Sequence, residues 1–367
     1  MSRPKLELVK LRKEYGDDVI AVDDIDLAVE AGETVALLGS SGCGKSTTLN
    51  MIVGLEQPTA GDIQIDGATV VTTPAGKRNV GLVFQDYAVF THMTVRKNLA
   101  FGLEIRGKYI LEINRAVEEV AELLGMTDKL DVSVKELGGS ELQRVAIGRT
   151  LVTKPEILLL DEPLSNLEAE ARLAMRRELR RLQSEIGLTI IYVTHDQVEA
   201  LSLADRIAVM NAGRILQVEE TSVIFDKPDH TFVAGFLGSP PMNLMRGKFA
   251  AGPGGVRFEK DAFQLSIGPG QAAPSGYYTV GIRPEALSLS INDAPDLTGR
   301  IVNVEPRGPE AVVTVGVGNE HLKLVAPPAQ TLRTGDSVGL DVDFDSLVFF
   351  GGDSNRRVEL AVAGRVF

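Results

Sequence analysis

Gly39-Ser40-Ser41-Gly42-Cys43-Gly44-Lys45-Ser46 is the stretch from which the fold of this chain can be read. It satisfies G-x-x-x-x-G-K-[ST], a phosphate-binding loop, and its flanks have the form such a loop needs. The apolar run TVALL at 34–38 reads as a buried strand, and TTLNMI at 47–52 reads as the opening of a helix. The glycines let the backbone curl so that amide N–H groups point inward at phosphate oxygens. Lys45 adds a full charge, the helix dipole adds positive potential, and the Ser46 hydroxyl is placed to ligate Mg²⁺. The predicted phosphate-contacting set is therefore Gly39, Ser40, Ser41, Gly42, Cys43, Gly44, Lys45, Ser46 and Thr47. A plain glycine-rich turn is the competing reading, and the strand–loop–helix context weighs against it.

Further along, the chain supplies groups suited to nucleotide hydrolysis. The run ILLL at 157–160 leads into Asp161-Glu162-Pro163, a second buried strand ending in two carboxylates. Asp161 can hold Mg²⁺ through water, and Glu162 can polarise an attacking water. The run TIIYVT at 189–194 delivers His195 to a strand's carboxyl end, where open α/β sheets bind ligands, as a γ-phosphate sensor. Gln85 follows VGLVF at 80–84, and its amide can reach the metal or the water. The catalytic candidates are Glu162, His195, Gln85 and Lys45; the metal candidates are Ser46, Gln85 and Asp161. The expected cofactors are ATP and Mg²⁺. Taken singly, a strand end in Asp-Glu or a structural histidine is commonplace; their order behind the phosphate loop reverses that balance.

Composition narrows the class. A length of 367 residues allows two or three domains, each burying its own core. The single cysteine excludes an internal disulfide framework and fits a reducing compartment. No window approaches the roughly 18 apolar residues of a membrane span, and no apolar signal segment opens the chain. A net charge of −12 argues against a general nucleic-acid surface. Between Asp86 and Pro155 the pattern turns helical, with Val117, Val120, Ala121 and Leu124 at helix spacing and Gly125 as a stop.

Together these residues resemble the ATP-binding-cassette ATPases, and more narrowly the ATPase subunits of bacterial carbohydrate importers of the maltose-transporter type. The resemblance spans essentially the whole chain. It implies an α/β P-loop NTPase core with antiparallel β and helical subdomains, followed by an all-β OB-like regulatory domain. The implied cassette covers 1–240, with the helical subdomain at about 86–155, and the second domain covers 241–367. Tyr15 matches the adenine-stacking aromatic, Gln85 the Q-loop, Asp161 and Glu162 the Walker B pair, Ser165-Asn166-Leu167 the D-loop, and His195 the switch histidine. The run at 87–95 is similar to the permease-facing segment, with Tyr87, Phe90 and Met93 as apolar anchors, and 232–243 resembles the run that leaves the cassette. The implied partners are transmembrane permeases, a second cassette in a homodimer or heterodimer and, indirectly, a periplasmic solute-binding protein, with no nucleic acid. The implied location is peripheral, on the cytoplasmic face of the bacterial inner membrane.

Two departures accompany the resemblance. Where the family signature reads Leu-Ser-Gly-Gly-Gln, this chain has Leu137-Gly138-Gly139-Ser140-Glu141 before Gln143-Arg144. Read without gaps, Gly138 replaces the serine that the family presents to the γ-phosphate across a dimer; read with a one-residue slip, Leu137 does. The helix N-terminus remains an anion site, so the expectation is a slower enzyme, not a dead one. Glu168 replaces the D-loop aspartate, one methylene longer.

From about Leu244 helical periodicity gives way to Gly, Pro and short β-rich runs at 277–282, 299–305, 311–317 and 338–343. The run GIRPE at 281–285 resembles a motif of the importer's regulatory domain. Lacking a dense basic and aromatic face, this region reads as an interaction module and not as a strand-binding barrel. The leading function is the ATP-hydrolysing motor of a sugar, polyol or glycerol-phosphate importer. The alternatives are a slow or regulatory ATP-binding subunit beside an intact cassette, and a non-transport cassette ATPase.

Overall fold

A computed structural model describes residues 3–16, 19–270, 273–327, 332–362 and 365–366. The chain divides into two compact units, Met1–Thr221 and Ser222–Phe367.

The first unit begins with β1 (Leu6–Tyr15), β2 (Val19–Val29) and β3 (Thr34–Gly39), then α1 (Lys45–Val53), β4 (Ala60–Ile65), β5 (Ala68–Thr69) and β6 (Val80–Val83). A helical stretch follows, α2 (Val95–Ile105), α3 (Ile110–Leu123) and α4 (Gly139–Leu151). The unit closes with β7 (Ile157–Asp161), α5 (Ala169–Ile186), β8 (Thr189–Thr194), α6 (Gln197–Leu203), β9 (Arg206–Asn211) and β10 (Arg214–Glu220).

Six strands form one sheet in the order β10-β9-β3-β8-β7-β6, parallel from β9 to β6. All six residues of β3 and of β8 are buried, which is the near-continuous apolar pattern of a sheet covered on both faces. A second sheet, β2-β1-β4-β5, is antiparallel, as expected from the resemblance. Leu6, Leu8, Val22, Ile25, Leu49 and Ile52 pack in one apolar core with the β3 residues Val35 and Leu37. The helical stretch builds a separate core: Ile113, Val117, Val120 and Ala121 line the buried side of α3, and Gly125 takes a φ of 61° just past the helix end.

The second unit holds α7 (Thr221–Asp226, whose first residue belongs to the first unit) and α8 (Thr231–Phe236), then β11 (Asn243–Gly252), β12 (Gly255–Lys260), β13 (Phe263–Gly268), β14 (Tyr277–Ile282), β15 (Leu287–Leu289), β16 (Leu297–Pro306), β17 (Ala311–Val317), β18 (Glu320–Ala326), β19 (Ser337–Val342) and β20 (Val348–Gly351). These make two five-stranded antiparallel sheets, β13-β12-β11-β14-β20 and β15-β19-β16-β17-β18. Phe249, Phe258, Phe263 and Phe349 share one core with Val313 and Leu324. Arg283, inside the run singled out at 281–285, is buried: its guanidinium lies 4.0 Å from the Phe225 ring centre and donates to the carbonyls of Ala234 and Leu237. Through these contacts the arginine clasps the helical segment to the sheet, and burial pushes its pKa down to about 10.

Candidate nucleotide site

The parallel sheet brings four loops to one edge. Strands β3, β8, β7 and β6 are neighbours, and their carboxyl ends are level: Leu38 pairs with Thr194, Asp161 with Val193, and Val83 with Leu160. The phosphate loop leaves β3, His195 follows β8, Glu162 follows β7 and Gln85 lies two residues past β6. This is the crevice at strand carboxyl ends where open α/β sheets bind ligands.

Two glycines are sterically required in the phosphate loop. Gly44 has a φ of 106°, and a Cβ there would meet the Ala21 carbonyl oxygen at 2.4 Å; a Cβ at Gly39 would meet the Met210 oxygen at 2.3 Å. No side chain caps α1 at Gly44, so its first N–H groups remain free for an anion. Lys45 is buried, and its ammonium folds back to donate to Gly39 O at 2.8 Å and Ser40 O at 3.0 Å.

Ser46 Oγ donates to Asp161 Oδ1 at 3.1 Å. Burial pushes the Asp161 carboxyl above its ordinary range, against the opposing pull of Ser46 and Lys45. The Ser46 hydroxyl and the partly desolvated Asp161 carboxylate are hard oxygen donors that converge, a pairing that fits Mg²⁺. Glu162 has a left-handed φ of 44°, a strained position for a glutamate. Its Oε2 lies 3.0 Å from His195 Nδ1. Gln85 Nε2 donates to Ser165 Oγ at 3.2 Å, Ser165 Oγ donates to Glu162 O at 2.9 Å, and Asn166 Nδ2 donates to Gln85 O at 2.8 Å. Three of the predicted loops are thus hydrogen-bonded to one another.

A cleft of about 670 Å³ is walled by Ser40, Ser41, Gly42, Gly44, Lys45, Ser46, Thr47, Gln85, Glu162 and His195, with Ala21 added. Ala21 was not predicted; it belongs to β2 in another sheet, and nothing in its local sequence marks it. Gly39 and Cys43 lie buried beneath the loop, and Asp161 lies behind Ser46. Tyr15 stands outside the wall, 41% exposed, with the Lys13 ammonium 4.8 Å from its ring centre. Leu137, Gly138, Gly139, Ser140 and Glu141 are also outside the wall, at the start of α4. There Glu141 Oε2 accepts from the Gly138 N–H at 3.0 Å and Oε1 lies 3.4 Å from Lys129 Nζ; both hold the carboxyl below its usual range. Glu168 is the N-cap of α5, and its side chain makes no capping hydrogen bond.

Fold and cleft together define a P-loop nucleotide hydrolase. Residues 22–165 match the ABC transporter family, 238–287 the MalK OB fold domain and 280–350 the TOBE domain. The trehalose/maltose import ATP-binding protein MalK of Thermococcus litoralis is 43% identical over 359 residues, covering 93% of this chain and 95% of that protein. The sn-glycerol-3-phosphate import ATP-binding protein UgpC 1 of Rhizobium etli is 41% identical over 96% of this chain and 98% of its own length. Among solved structures, cbiO1 from Clostridium perfringens, part of the ABC transporter complex cbiONQ, matches with a TM-score of 0.58 at 28% identity, over 61% of this chain and 92% of that one. The chain belongs to the ABC transporter family as an ATP-binding subunit: it hydrolyses ATP in the service of transport and works with permease partners. Among the described residues no helix is long and apolar enough to cross a membrane.

Proposed function

We propose that this subunit energises an importer for a sugar, polyol or glycerol-phosphate-type solute, from the cytoplasmic face of the bacterial inner membrane. The trehalose/maltose and sn-glycerol-3-phosphate import proteins it resembles support that solute class, and a periplasmic binding protein would then deliver the solute. The cassette extends to about residue 240, and the all-β domain follows.

In this reading Lys45 and the free amides of the phosphate loop hold the β- and γ-phosphates of ATP. Ser46 and Asp161, with Gln85, would hold Mg²⁺, which would neutralise charge on the phosphate oxygens. Glu162 accepts a hydrogen bond from the attacking water and aligns it, and His195 steadies that carboxylate through Nδ1. Tyr15 stacks on adenine. Phosphoryl transfer needs mostly positioning and electrostatics, which is what this set provides. The observation that carries the reading is the 3.0 Å contact of Glu162 with His195, beside the Ser46–Asp161 pair.

Leu137–Glu141 act on a second cassette, in a homodimer or heterodimer, because they stand outside this chain's own cleft. The permease rests against Tyr87, Phe90 and Met93. A smaller cleft of about 140 Å³, lined by Phe84, Tyr87, Ala88, Phe101 and Arg149, supports this placement. Tyr87 and Ala88 hold left-handed φ values of 64° and 46°, a strained turn that a seated helix could reset.

The test is Glu162→Gln. ATP should still bind and hydrolysis should fall by several orders of magnitude, whereas Lys45→Ala should weaken nucleotide binding itself. Hydrolysis at the parent rate in Glu162→Gln removes the assignment.

A further inference from the structure

Outside the cleft, a second set of side chains joins the loops that carry its chemistry. Arg172 lies in the first turn of α5, and its Nη2 donates to the Leu167 carbonyl at 3.1 Å. Its Nη1 lies 3.8 Å from Asp196 Oδ2 and its Nε 3.9 Å from Glu199 Oε1. One guanidinium therefore reaches the segment after Glu162 and the segment after His195.

The acceptors are themselves fixed. Asp196 caps α6, accepting from Val198 N at 2.8 Å and Glu199 N at 3.3 Å. Glu199 is only 3% exposed, and its Oε2 accepts from the Tyr192 hydroxyl at 2.8 Å and the Thr194 hydroxyl at 2.9 Å. Burial, then the Glu199 charge, pushes the Tyr192 phenol far up, so it stays a donor. Thr194 Oγ1 in turn accepts from Asp196 N at 2.9 Å. Thr194 is thus held by a buried carboxylate whose nearest cation is Arg172, and Asp196 is tied to it through the Thr194 hydroxyl. On its other side the Ser165–Asn166 stretch holds Gln85, so a path of contacts runs from Gln85 through 165–167 and Arg172 to His195, and back to Glu162.

We propose that Arg172, seated against Asp196 and Glu199, is a positioning residue that keeps His195 in register with Glu162. It rests on the roles assigned above to those two residues. The guanidinium suits the task because its planar fork lets Nη2 donate to the Leu167 carbonyl while Nη1 and Nε bring the same charge to 3.8 and 3.9 Å from the two carboxylates, ion pairs longer than hydrogen bonds. Glu199 is a positioning residue for the same loop: it holds Thr194, the residue before the histidine.

The experiment uses the assembled transporter and follows ATP hydrolysis by Arg172→Met, Arg172→Lys and Glu199→Gln, with Glu162→Gln as control. Because misplacement of about 1 Å can cost ~100-fold, Arg172→Met should lower kcat roughly 10- to 100-fold while KM for ATP stays within about twofold. Arg172→Lys should recover part of that loss. Glu199→Gln keeps an acceptor for Tyr192 and Thr194 but removes the charge, and should lower kcat with unchanged KM; it serves in place of Arg172→Met if that variant does not fold. Turnover at the parent rate in Arg172→Met and Glu199→Gln overturns the proposal. So does a loss in which kcat, KM and Tm change together without rescue by lysine, since that marks a merely structural residue. Parent-rate hydrolysis in Glu162→Gln would instead remove the underlying assignment, and the two failures are read from separate variants.

Discussion

Ser46 Oγ lies 3.1 Å from Asp161 Oδ1, a contact between the first turn of α1 and the last residue of β7. Burial raises the Asp161 carboxyl above its ordinary value, so the fold disfavours the ionised form. A group whose folded pKa is raised stabilises the fold below its unfolded value, and that stabilisation is lost as pH rises through the folded one. Above that raised value the ionised Asp161 therefore weakens the nucleotide-free protein. Asp161→Asn should raise Tm at pH 7, with the gap closing in acid, while Mg²⁺-dependent hydrolysis is lost. Thermal melts across pH check the first half, and ATPase assays with and without a chelator check the second. A lower Tm at pH 7 would show that the carboxylate stabilises the fold.

Much of this site was legible because the phosphate loop is a local device: glycine spacing, Lys45 and Ser46 lie within eight residues between a strand and a helix. Asp161 and His195 were legible because apolar runs of strand length end on them. The signals failed where the geometry is tertiary. Ala21 reaches the cleft from another sheet, and nothing beside Arg172 or Glu199 in the sequence marks the loops they join. Left-handed backbone at Glu162, Tyr87 and Ala88 leaves no mark in composition, since none of these is glycine. In the second unit, β13 (Phe263–Gly268) and β18 (Glu320–Ala326) went unread although buried residues recur at every second position, and β12 (Gly255–Lys260) has no such alternation to read.

Glu168 occupies the N-cap of α5 in extended conformation without bonding the first turn. Its carboxylate is one methylene too far from the N2 and N3 amides that an aspartate reaches. Glu168→Asp should stabilise the nucleotide-free protein by about 0.5–2 kcal/mol, seen as a higher midpoint in denaturant. An unchanged or lower midpoint would show that the first turn is already satisfied by solvent.

Phe90 stacks edge-on with Phe101 at 4.4 Å and lies under the Arg149 guanidinium at 4.2 Å. Its backbone is held independently, since Asn98 Oδ1 accepts from Phe90 N at 2.9 Å and Asn98 Nδ2 donates to Phe90 O at 3.0 Å. Phe90→Glu should therefore keep the fold, with Arg149 as a new ion partner, and spare ATPase activity of the isolated subunit. Transport and co-purification with permeases should be abolished, because a desolvated carboxylate would face an apolar helix. Unfolding of this variant would mean that Phe90 is core and that no permease is needed to explain it.

The start of α4 yields the prediction most particular to this chain. Gly138 stands at the N-cap with extended backbone and offers no hydroxyl, and the Glu141 carboxylate turns back onto the Gly138 N–H at 3.0 Å. That contact, with Lys129, keeps Glu141 ionised, so a negative charge sits where a second cassette would present its γ-phosphate. Restoring Gly138→Ser, Ser140→Gly and Glu141→Gln together should supply one charge-assisted hydrogen bond and remove one repulsion. A hydrogen bond of about 1.5–3 kcal/mol, if made mainly in the transition state, corresponds to roughly ten- to a hundredfold in turnover. In a homodimer both sites gain, and the purified subunit alone should show the increase. In a heterodimer the partner's intact signature already serves this chain's phosphate loop, so the gain is confined to the partner's site. Turnover of the repaired protein, alone and in its transporter, separates the cases. No gain in either setting would mean that the helix N-terminus already supplies what the serine would.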